Sequence, residues 1–173
     1  MAEAFPVGPA VLGYLLLEGE AHGYELLSRF HRDLGRIWRV APSQLYSALA
    51  ILERHGFIQG TKEPQENRPP RIRYTLTEKG KEEFWKWALA PVPRLRLLRT
   101  EFLPKLFFLT KLAPERVPEV LRTQRETLLS LKAKVEAEEP ADPFQEMLRV
   151  FRLSQLDAGL RWIAEILEKE GVG

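Results

Sequence analysis

The sequence predicts a mostly helical protein with one small β-hairpin: an N-terminal winged helix-turn-helix unit followed by a purely helical C-terminal unit. Three observations support this prediction. Short helices with apolar periodicity follow one another as far as residue 55, two strand-like runs then flank a proline-rich connector, and only helical patterns remain beyond Thr77. Three short helices followed by a hairpin is the order of a helix-turn-helix with a wing. We place the boundary at Pro91-Val-Pro93, which divides the chain into residues 1–90 and 91–173.

Three helices are predicted before the hairpin. The first covers Phe5 to Leu17, the second runs from Gly23 to Leu34, and the third opens at Pro42 and stops before Gly56. At about 100° per residue, one face of the third helix is apolar and consists of Leu45, Ala48, Leu49 and Leu52. The residues left outside that face are polar or charged for the most part, namely Ser43, Gln44, Tyr46, Ser47 and Arg54. The third helix is therefore predicted to bury one side and to present the other to a partner.

The hairpin is predicted from two runs, Phe57 to Lys62 and Arg71 to Leu76. The connector 63–70 holds three prolines and no large apolar residue, so we expect it to protrude from the sheet as the tip of a wing. Arg68 lies on this tip, and alternation places Arg71 and Arg73 opposite the apolar residues of their strand. Residues 36–79 carry eight basic side chains against four acidic ones. This excess suits contact with phosphates, and the alternative is an ordinary solvated charged face.

Four segments of this half resemble the PadR family of transcriptional regulators: LLLEGEAHGYEL (15–26), WRVAPSQLYSAL (38–49), LERHGFI (52–58) and RYTLTEKG (73–80). In the second half, RTEFLPKLFF (99–108) and the two long helices after it are similar to the helical C-terminal domain of longer, virulence-activator-like relatives. The resemblance implies a homodimer built on the C-terminal helices, in which the first helix joins the interface. It also implies a repressor of the protein's own or a neighbouring gene, and phenolic or drug-like effectors.

One departure from the family pattern concerns the second half of the third helix, where the family commonly has polar or basic residues and this chain has Ala50 and Ile51. Ile51 lies away from the apolar stripe, so it would either touch a thymine methyl group or pack under the wing, and we favour packing. Base contacts are therefore expected from few side chains, namely Ser43, Gln44 and Ser47.

Contacts with the DNA backbone or groove edge are expected from Tyr46, His22, Tyr24, Arg39, Arg68, Arg71 and Arg73. His22 stands where the second helix begins, so a histidine that only bonds the backbone there is an equal alternative to a phosphate contact. A rival function is a protein-interaction module that keeps the winged-helix scaffold, an idea that Ile51 mildly favours. Salt discriminates between the two, because phosphate neutralisation makes affinity fall steeply with salt.

Beyond the hairpin, Thr77 is predicted to cap a helix from Glu78 to Leu89. A helical segment over 94–112 should kink or split at Pro104. Two long helices, 114–138 and 143–170, are joined by an acidic turn in which Asp142 acts as a cap, so they should form an antiparallel pair.

The last of these helices has more apolar surface than one neighbouring helix would cover. We therefore predict a dimerisation surface made of Phe151, Leu156, Leu160, Ile163 and Leu167. The alternative is that these residues complete a larger monomeric core together with the first helix.

The aromatic residues of the helical half allow a pocket for a flat organic effector: Trp85, Trp87, Phe102, Phe107, Phe108, Phe151 and Trp162. Core packing explains most of them without a ligand, and we favour it. The partners expected of this chain are double-stranded DNA, a second copy of itself and an aromatic small molecule.

Other classes of protein are disfavoured by composition and motifs. The 173 residues contain no cysteine, which excludes disulfides and thiolate metal sites, and the three histidines have no ligand-like spacing. Neither a phosphate-binding glycine loop nor a Gly-x-Ser-x-Gly elbow occurs, so we expect no enzyme, cofactor or metal site. The apolar run over 5–17 is too short for a bilayer and lacks a preceding basic region, so we expect a cytoplasmic protein without a membrane segment.

Overall fold

The computed structural model describes residues 6–65 and 68–169. Within them the chain runs α1 (Val7–Glu18), β1 (Ala21–His22), α2 (Gly23–Asp33), α3 (Pro42–Arg54), β2 (Ile58–Gln65), β3 (Arg68–Leu76), α4 (Glu78–Leu89), a π-helical turn (Leu98–Phe102), α5 (Leu103–Leu112), a 3-10 turn (Pro114–Arg116), α6 (Val117–Glu136) and α7 (Pro143–Lys169). The predicted fold class, mostly helical with a small hairpin, is confirmed. Among the described residues, no helix is both long enough and apolar enough to cross a membrane.

The sheet has three antiparallel strands in the order β1-β3-β2. The prediction missed β1, a two-residue strand that pairs Ala21 with Tyr74 and His22 with Arg73. The hairpin strands are also longer than predicted, since β2 continues to Gln65 and β3 begins at Arg68. The expectation that connector 63–70 would stay outside the sheet is therefore wrong.

The extra length is possible because each proline of the connector lies on an edge. β2 is an edge strand, and the pairing between β2 and β3 is irregular between Glu63 and Gln65, around Pro64. Pro69 and Pro70 lie in the part of β3 that extends beyond its pairing with β1. A proline that faces no neighbouring carbonyl on one side costs the sheet no hydrogen bond, so the wing extends as a two-stranded ribbon.

The core is centred on α1, which has buried residues around most of its circumference. Gly13 is the point of closest approach, because a Cβ atom there would lie 2.8 Å from the rings of both Phe84 in α4 and Phe108 in α5. The Tyr14 ring packs edge-on against Phe30 and Phe108, each with centroids 5.0 Å apart. Helix α5 therefore shares one apolar core with the helices that precede the hairpin.

The predicted caps and breaks in the second half are confirmed. The Thr77 hydroxyl accepts a hydrogen bond from the Gly80 amide, and the Asp142 carboxylate accepts one from the Gln145 amide. Pro104 lies in the first turn of α5, directly after the π-helical turn, so the segment 94–112 is split where its missing N–H costs least.

Helices α6 and α7 form the predicted antiparallel pair. Lys132 pairs with Asp157 and Arg152 with Glu138, so the contact position on α7 moves back as that on α6 moves forward. Gly159 contributes to the close approach, because a Cβ atom there would lie 3.3 Å from the Leu128 side chain.

The predicted dimerisation surface is corrected by the burial of α7 within a single chain. Leu156 and Ile163 are 2% and 0% exposed, and Leu160 and Leu167 pack partly buried on the same core. The sequence pattern did not include the π-helical turn as a second cover, which brings Phe102 to Trp162 and Leu98 to Gly159. Of the predicted residues, Phe151 remains exposed. It is one of five exposed apolar residues at the start of α7, which we call the α7 patch: Phe144, Met147, Leu148, Val150 and Phe151.

Candidate nucleic-acid interface

The orientation of α3 is as predicted. Leu45, Leu49 and Leu52 are buried and Ala48 is half-buried. The residues predicted to face outward, Ser43, Gln44, Tyr46, Ser47 and Arg54, are all exposed. The apolar stripe thus anchors the helix to the core and leaves a polar side that a groove of DNA could receive.

Gln44 also holds the first turn of α3 together. Its Oε1 atom accepts a hydrogen bond of 3.0 Å from the Ala41 amide, while its side chain remains exposed. A glutamine at the third helical position that reaches back to the N-cap amide satisfies a donor that the helix leaves unpaired. Reading an adenine with both amide atoms would require Gln44 to release Ala41, whereas donation from Nε2 alone would not.

Two tyrosines join α3 to the wing. The ring of Tyr46 covers Gly23, the first residue of α2, where a Cβ atom would lie 2.8 Å from the ring. Next to Gly23, the Tyr24 ring lies under the Arg71 guanidinium at 5.3 Å, and Arg71 donates to the Tyr24 hydroxyl at 3.3 Å. Both tyrosines are about half exposed. Helix α3, the start of α2 and strand β3 therefore share one continuous exposed face, which we call the α3–wing surface: Ser43, Gln44, Tyr46, Ser47, Tyr24 and Arg71.

His22 is not available to a phosphate, because it is 6% exposed. Its Nδ1 atom donates to the Ile72 carbonyl at 3.1 Å, its backbone amide donates to the Glu25 carboxylate, and its Nε2 atom lies 3.4 Å from Glu63. The structure therefore supports the backbone-bonding alternative for this histidine. The phosphate contact predicted for it is wrong, since the ring is used to fasten α2 to the sheet.

Arg73 has different partners from Arg71, although the alternation of the strand places both side chains on the same face. Its guanidinium pairs with two carboxylates, Glu63 on β2 and Glu20 before β1. The hydrogen bond from Arg73 holds the pKa of the Glu63 carboxyl below its ordinary value, and the same bond raises the pKa of Arg73. With two acidic partners, Arg73 ties the three strands together and offers little net charge to an incoming phosphate.

The remaining predicted residues are Arg39, Arg68 and Ile51. Arg39 is exposed just before α3. Arg68 begins β3, and its side chain lies outside the described residues. Ile51 is 50% exposed, so the preferred interpretation that it packs under the wing is wrong. Its apolar side chain is instead open to a partner on α3.

The aromatic candidates of the helical half are mostly core residues, as favoured from the sequence. Phe102 and Phe108 are fully buried, while Trp85, Trp87 and Phe107 pack partly buried against the core. Phe151 belongs to the α7 patch.

Trp162 has a second environment, since it lines a cleft of about 940 Å³ between segment 93–99, α6 and α7. Four arginines line the cleft as well, namely Arg94, Arg96, Arg99 and Arg152. Sequence reasoning missed this cleft because its walls are about sixty residues apart in the chain. The close spacing of three arginines over 94–99 was the available signal.

Known proteins that resemble this chain include transcriptional regulators. Residues 11–86 match the model of the transcriptional regulator PadR-like family. The negative transcriptional regulator PadR of Bacillus subtilis is 33% identical over 115 residues, which are 66% of this chain and 63% of that protein. A probable transcriptional regulator of Mycobacterium tuberculosis is 31% identical over 81 residues, 47% of this chain and 43% of that protein.

The matched part of the chain thus spans less than two thirds of either curated relative. Among solved structures, Bacillus subtilis PadR in complex with operator DNA is similar with a TM-score of 0.48 and 26% identity, over 94% of this chain and 98% of that one. Residues 11–86, which contain α2, α3, the three strands and most of α1 and α4, are the part of the chain that matches the PadR-like family of transcriptional regulators.

Proposed function

We propose that this chain is a sequence-specific DNA-binding repressor that acts as a homodimer on a palindromic operator, in the cytoplasm and by binding alone. The observation that carries the proposal is the α3–wing surface, in which an exposed polar helix face continues into a tyrosine-held arginine of the wing. An α-helix fits the major groove of B-DNA, and a basic ribbon beside it suits the phosphates. The match of residues 11–86 to a regulator family and the name of the Bacillus relative as a negative regulator support repression.

Within this proposal, base contacts come from Ser43, Gln44 and Ser47, because these small polar side chains are exposed along one side of α3. Tyr46, Tyr24, Arg39 and Arg71 contact the sugar-phosphate backbone, and Arg68 is proposed to join them from the tip of the wing. Tyr24 has a positioning part as well, since its ring and hydroxyl both hold Arg71. Arg73 and His22 stiffen the sheet that carries these groups.

Dimerisation is proposed to use the α7 patch. Its five apolar side chains are 45% to 68% exposed and lie within two turns at the start of α7. A cluster of this kind on a helix is unfavourable in water and is typical of a surface that another chain covers. A two-fold axis through this region would pair the patch with itself.

An effector site is proposed in the cleft beside Trp162. The indole and the leucines of the cleft suit a flat apolar molecule, while the exposed Arg99 favours one that carries a negative charge. Thermal shift with a panel of aromatic carboxylates tests this site. Ala158 is exposed and lines the cleft, so Ala158→Phe should obstruct part of the cleft and reduce any shift without unfolding the chain.

Selection of bound sequences from random double-stranded DNA is the experiment that tests the function. We expect enrichment of a palindrome whose binding weakens steeply with salt, because each neutralised phosphate releases counterions. The exposed Ile51 favours the alternative of a protein-interaction module. That alternative would give no enriched sequence and an association almost indifferent to salt.

A further inference from the structure

The segment between α4 and the π-helical turn is restrained by its own sequence. Val92 stands between Pro91 and Pro93, which lack an amide hydrogen and fix their own φ angles. Val92 is therefore the one residue of this triplet whose backbone can be held through both its donor and its acceptor. Its side chain is fully buried.

A single side chain of α6 satisfies both backbone groups of Val92. Gln124 is fully buried, its Oε1 atom accepts from the Val92 amide at 2.7 Å, and its Nε2 atom donates to the Val92 carbonyl at 3.1 Å. The side-chain amide thus pairs with the backbone as a neighbouring strand would. Breaking this pair inside the protein would leave two backbone groups without partners, which makes the joint specific as well as strong.

The other side of the same segment is fixed to α5. Lys105 is buried, donates to the Ala90 carbonyl at 2.8 Å and pairs with Glu101 at 2.8 Å. Because α5 packs on α1 and α4, Ala90 is held by the core that carries α3. Residues 90–92 are therefore rigid with respect to the α3–wing surface, and Gln124 joins α6 to this rigid segment.

Immediately after Val92, segment 93–99 lines a cleft of about 940 Å³ together with α6 and α7. Beside this cleft the parts are in contact, since Leu98 approaches Gly159 and Phe102 meets the Trp162 ring. Apolar packing is incomplete across such a space, so a directional polar joint has more influence on the angle between the parts than it would in a filled core.

We propose that Gln124 is a positioning residue that locks the α6–α7 pair to the segment after α4 and so fixes the orientation of α3 relative to the α7 patch. The lock itself is a property of one chain. Its consequence for DNA rests on the proposed function, because two copies joined through α7 can match a palindrome only if each α3 is held at a defined angle.

The test measures a distance within one chain. Because the chain has no cysteine, Arg54→Cys on α3 and Ser130→Cys on α6, both exposed, accept spin labels at these two positions only. Dilution into excess unlabelled chain limits the dipolar signal to pairs within a molecule. The otherwise unchanged chain should give a narrow distance distribution, and Gln124→Met, which keeps the length of the side chain but loses both hydrogen bonds, should broaden or shift it.

Two controls separate the lock from general damage. Gln155→Met makes the same change at an exposed glutamine of α7 and should leave the distribution as it is. A second label pair, Arg54→Cys with Lys86→Cys on α4, lies wholly within the first half and should not respond to Gln124→Met. An unchanged α3-to-α6 distribution in Gln124→Met overturns the proposal.

If Gln124→Met fails to fold, hydrogen exchange at the amides of the unmodified protein tests the contact between Gln124 and Val92. The Val92 amide should exchange much more slowly than an unstructured amide, and exchange at the unstructured rate would overturn the lock. Once an operator has been selected, one base pair can be inserted between its half-sites, which rotates one half-site by about 35° relative to the other. The unmodified protein should discriminate against that operator, and Gln124→Met should lose the discrimination. Absence of any operator contradicts the proposed function, while the distance measurement still decides the lock.

Discussion

At the scale of single residues, side chains that look alike in the sequence have different duties in the fold. Arg71 and Arg73 alternate along one strand, yet Arg71 rests on Tyr24 while Arg73 is held by two carboxylates. Gln44, which we propose as a base contact, is exposed and also caps its own helix. Chemistry at each site is therefore set by the partners that the tertiary structure supplies.

The two arginines provide a matched pair for a salt titration. Arg71→Ala should reduce the slope of log affinity against log salt by about 0.9, the value of one phosphate contact. Arg73→Ala should leave the slope nearly unchanged and lower the melting temperature instead, because it leaves Glu20 and Glu63 without their partner. Equal slope changes in the two variants would show that Arg73 leaves its carboxylates to bind DNA.

Gln44→Ala should weaken binding to the selected operator by about 1 to 3 kcal/mol and affect random DNA much less, because an amide can bond a base edge. The free protein should lose about 1 kcal/mol of stability at most, through the lost bond to Ala41. Ser43→Ala, next to it and without that bond to Ala41, is the control for helix stability. Equal losses on both DNAs would identify Gln44 as a phosphate contact.

Acid should weaken the sheet through Glu63. Its pKa is lowered in the folded protein by the hydrogen bond from Arg73, so the stabilisation is present above the ordinary value of 4.5 and is lost as pH falls through the lowered pKa. Glu63→Gln lacks this dependence. Unfolding by urea should show a gap between the two proteins at pH 7 that closes in acid, and a gap independent of pH would contradict the assignment.

At the scale of elements, the sequence predicts helix α7 correctly but does not predict which of its sides is exposed. Its length, its cap and its antiparallel partner follow from the sequence, but the apolar residues lie around much of its surface. Burial by α6 and by the π-helical turn takes Leu156 and Ile163 into the chain's own core. The apolar surface of α7 that remains exposed is the α7 patch.

Two substitutions in α7 should therefore separate assembly from folding. Phe151→Glu places a charge on an exposed residue of the patch and should dissociate the dimer with little change in melting temperature. Leu156→Ala removes a buried side chain and should cost about 2 to 5 kcal/mol of stability. Sedimentation and thermal unfolding of both variants are the measurements. Retention of the dimer in Phe151→Glu would locate the interface elsewhere.

At the scale of the whole molecule, one hydrophobic core includes residues of every helix from α1 to α7, and the hydrogen bonds between Gln124 and Val92 add a polar joint between α6 and the segment after α4. We still propose residues 1–90 and 91–173 as the two functional parts of the sequence. The packing nevertheless crosses this boundary, because α1 and α5 are in contact. A connection of this kind suits the proposed dimer, which would hold two α3 helices at a set distance.

Light scattering at micromolar concentration should give twice the chain mass of 20.0 kDa. A single α3 covers only a few base pairs, so useful selectivity needs two of them about 34 Å apart, one turn of DNA. The Phe151→Glu protein should lose operator binding together with its dimer. A monomer that still binds a palindrome tightly would contradict this account of assembly.

The sequence by itself determined the order of the main helices, the caps of two of them, the polar side of α3 and the resemblance of residues 11–86 to a regulator family. These features depend on residues within a few positions of one another: Thr77 and Asp142 cap the helices that follow them, and the spacing of Leu45, Leu49 and Leu52 sets a buried stripe.

Only the tertiary structure decided that β1 pairs with β3, that Arg73 forms ion pairs with two carboxylates, which side of α7 is covered, and that Gln124 holds Val92. Each of these contacts joins residues distant in the chain, Gln124 and Val92 being 32 positions apart. Periodicity and propensity describe what a segment buries. The partner it meets is chosen by how all segments close on a common core, where every buried polar group must also find a bond.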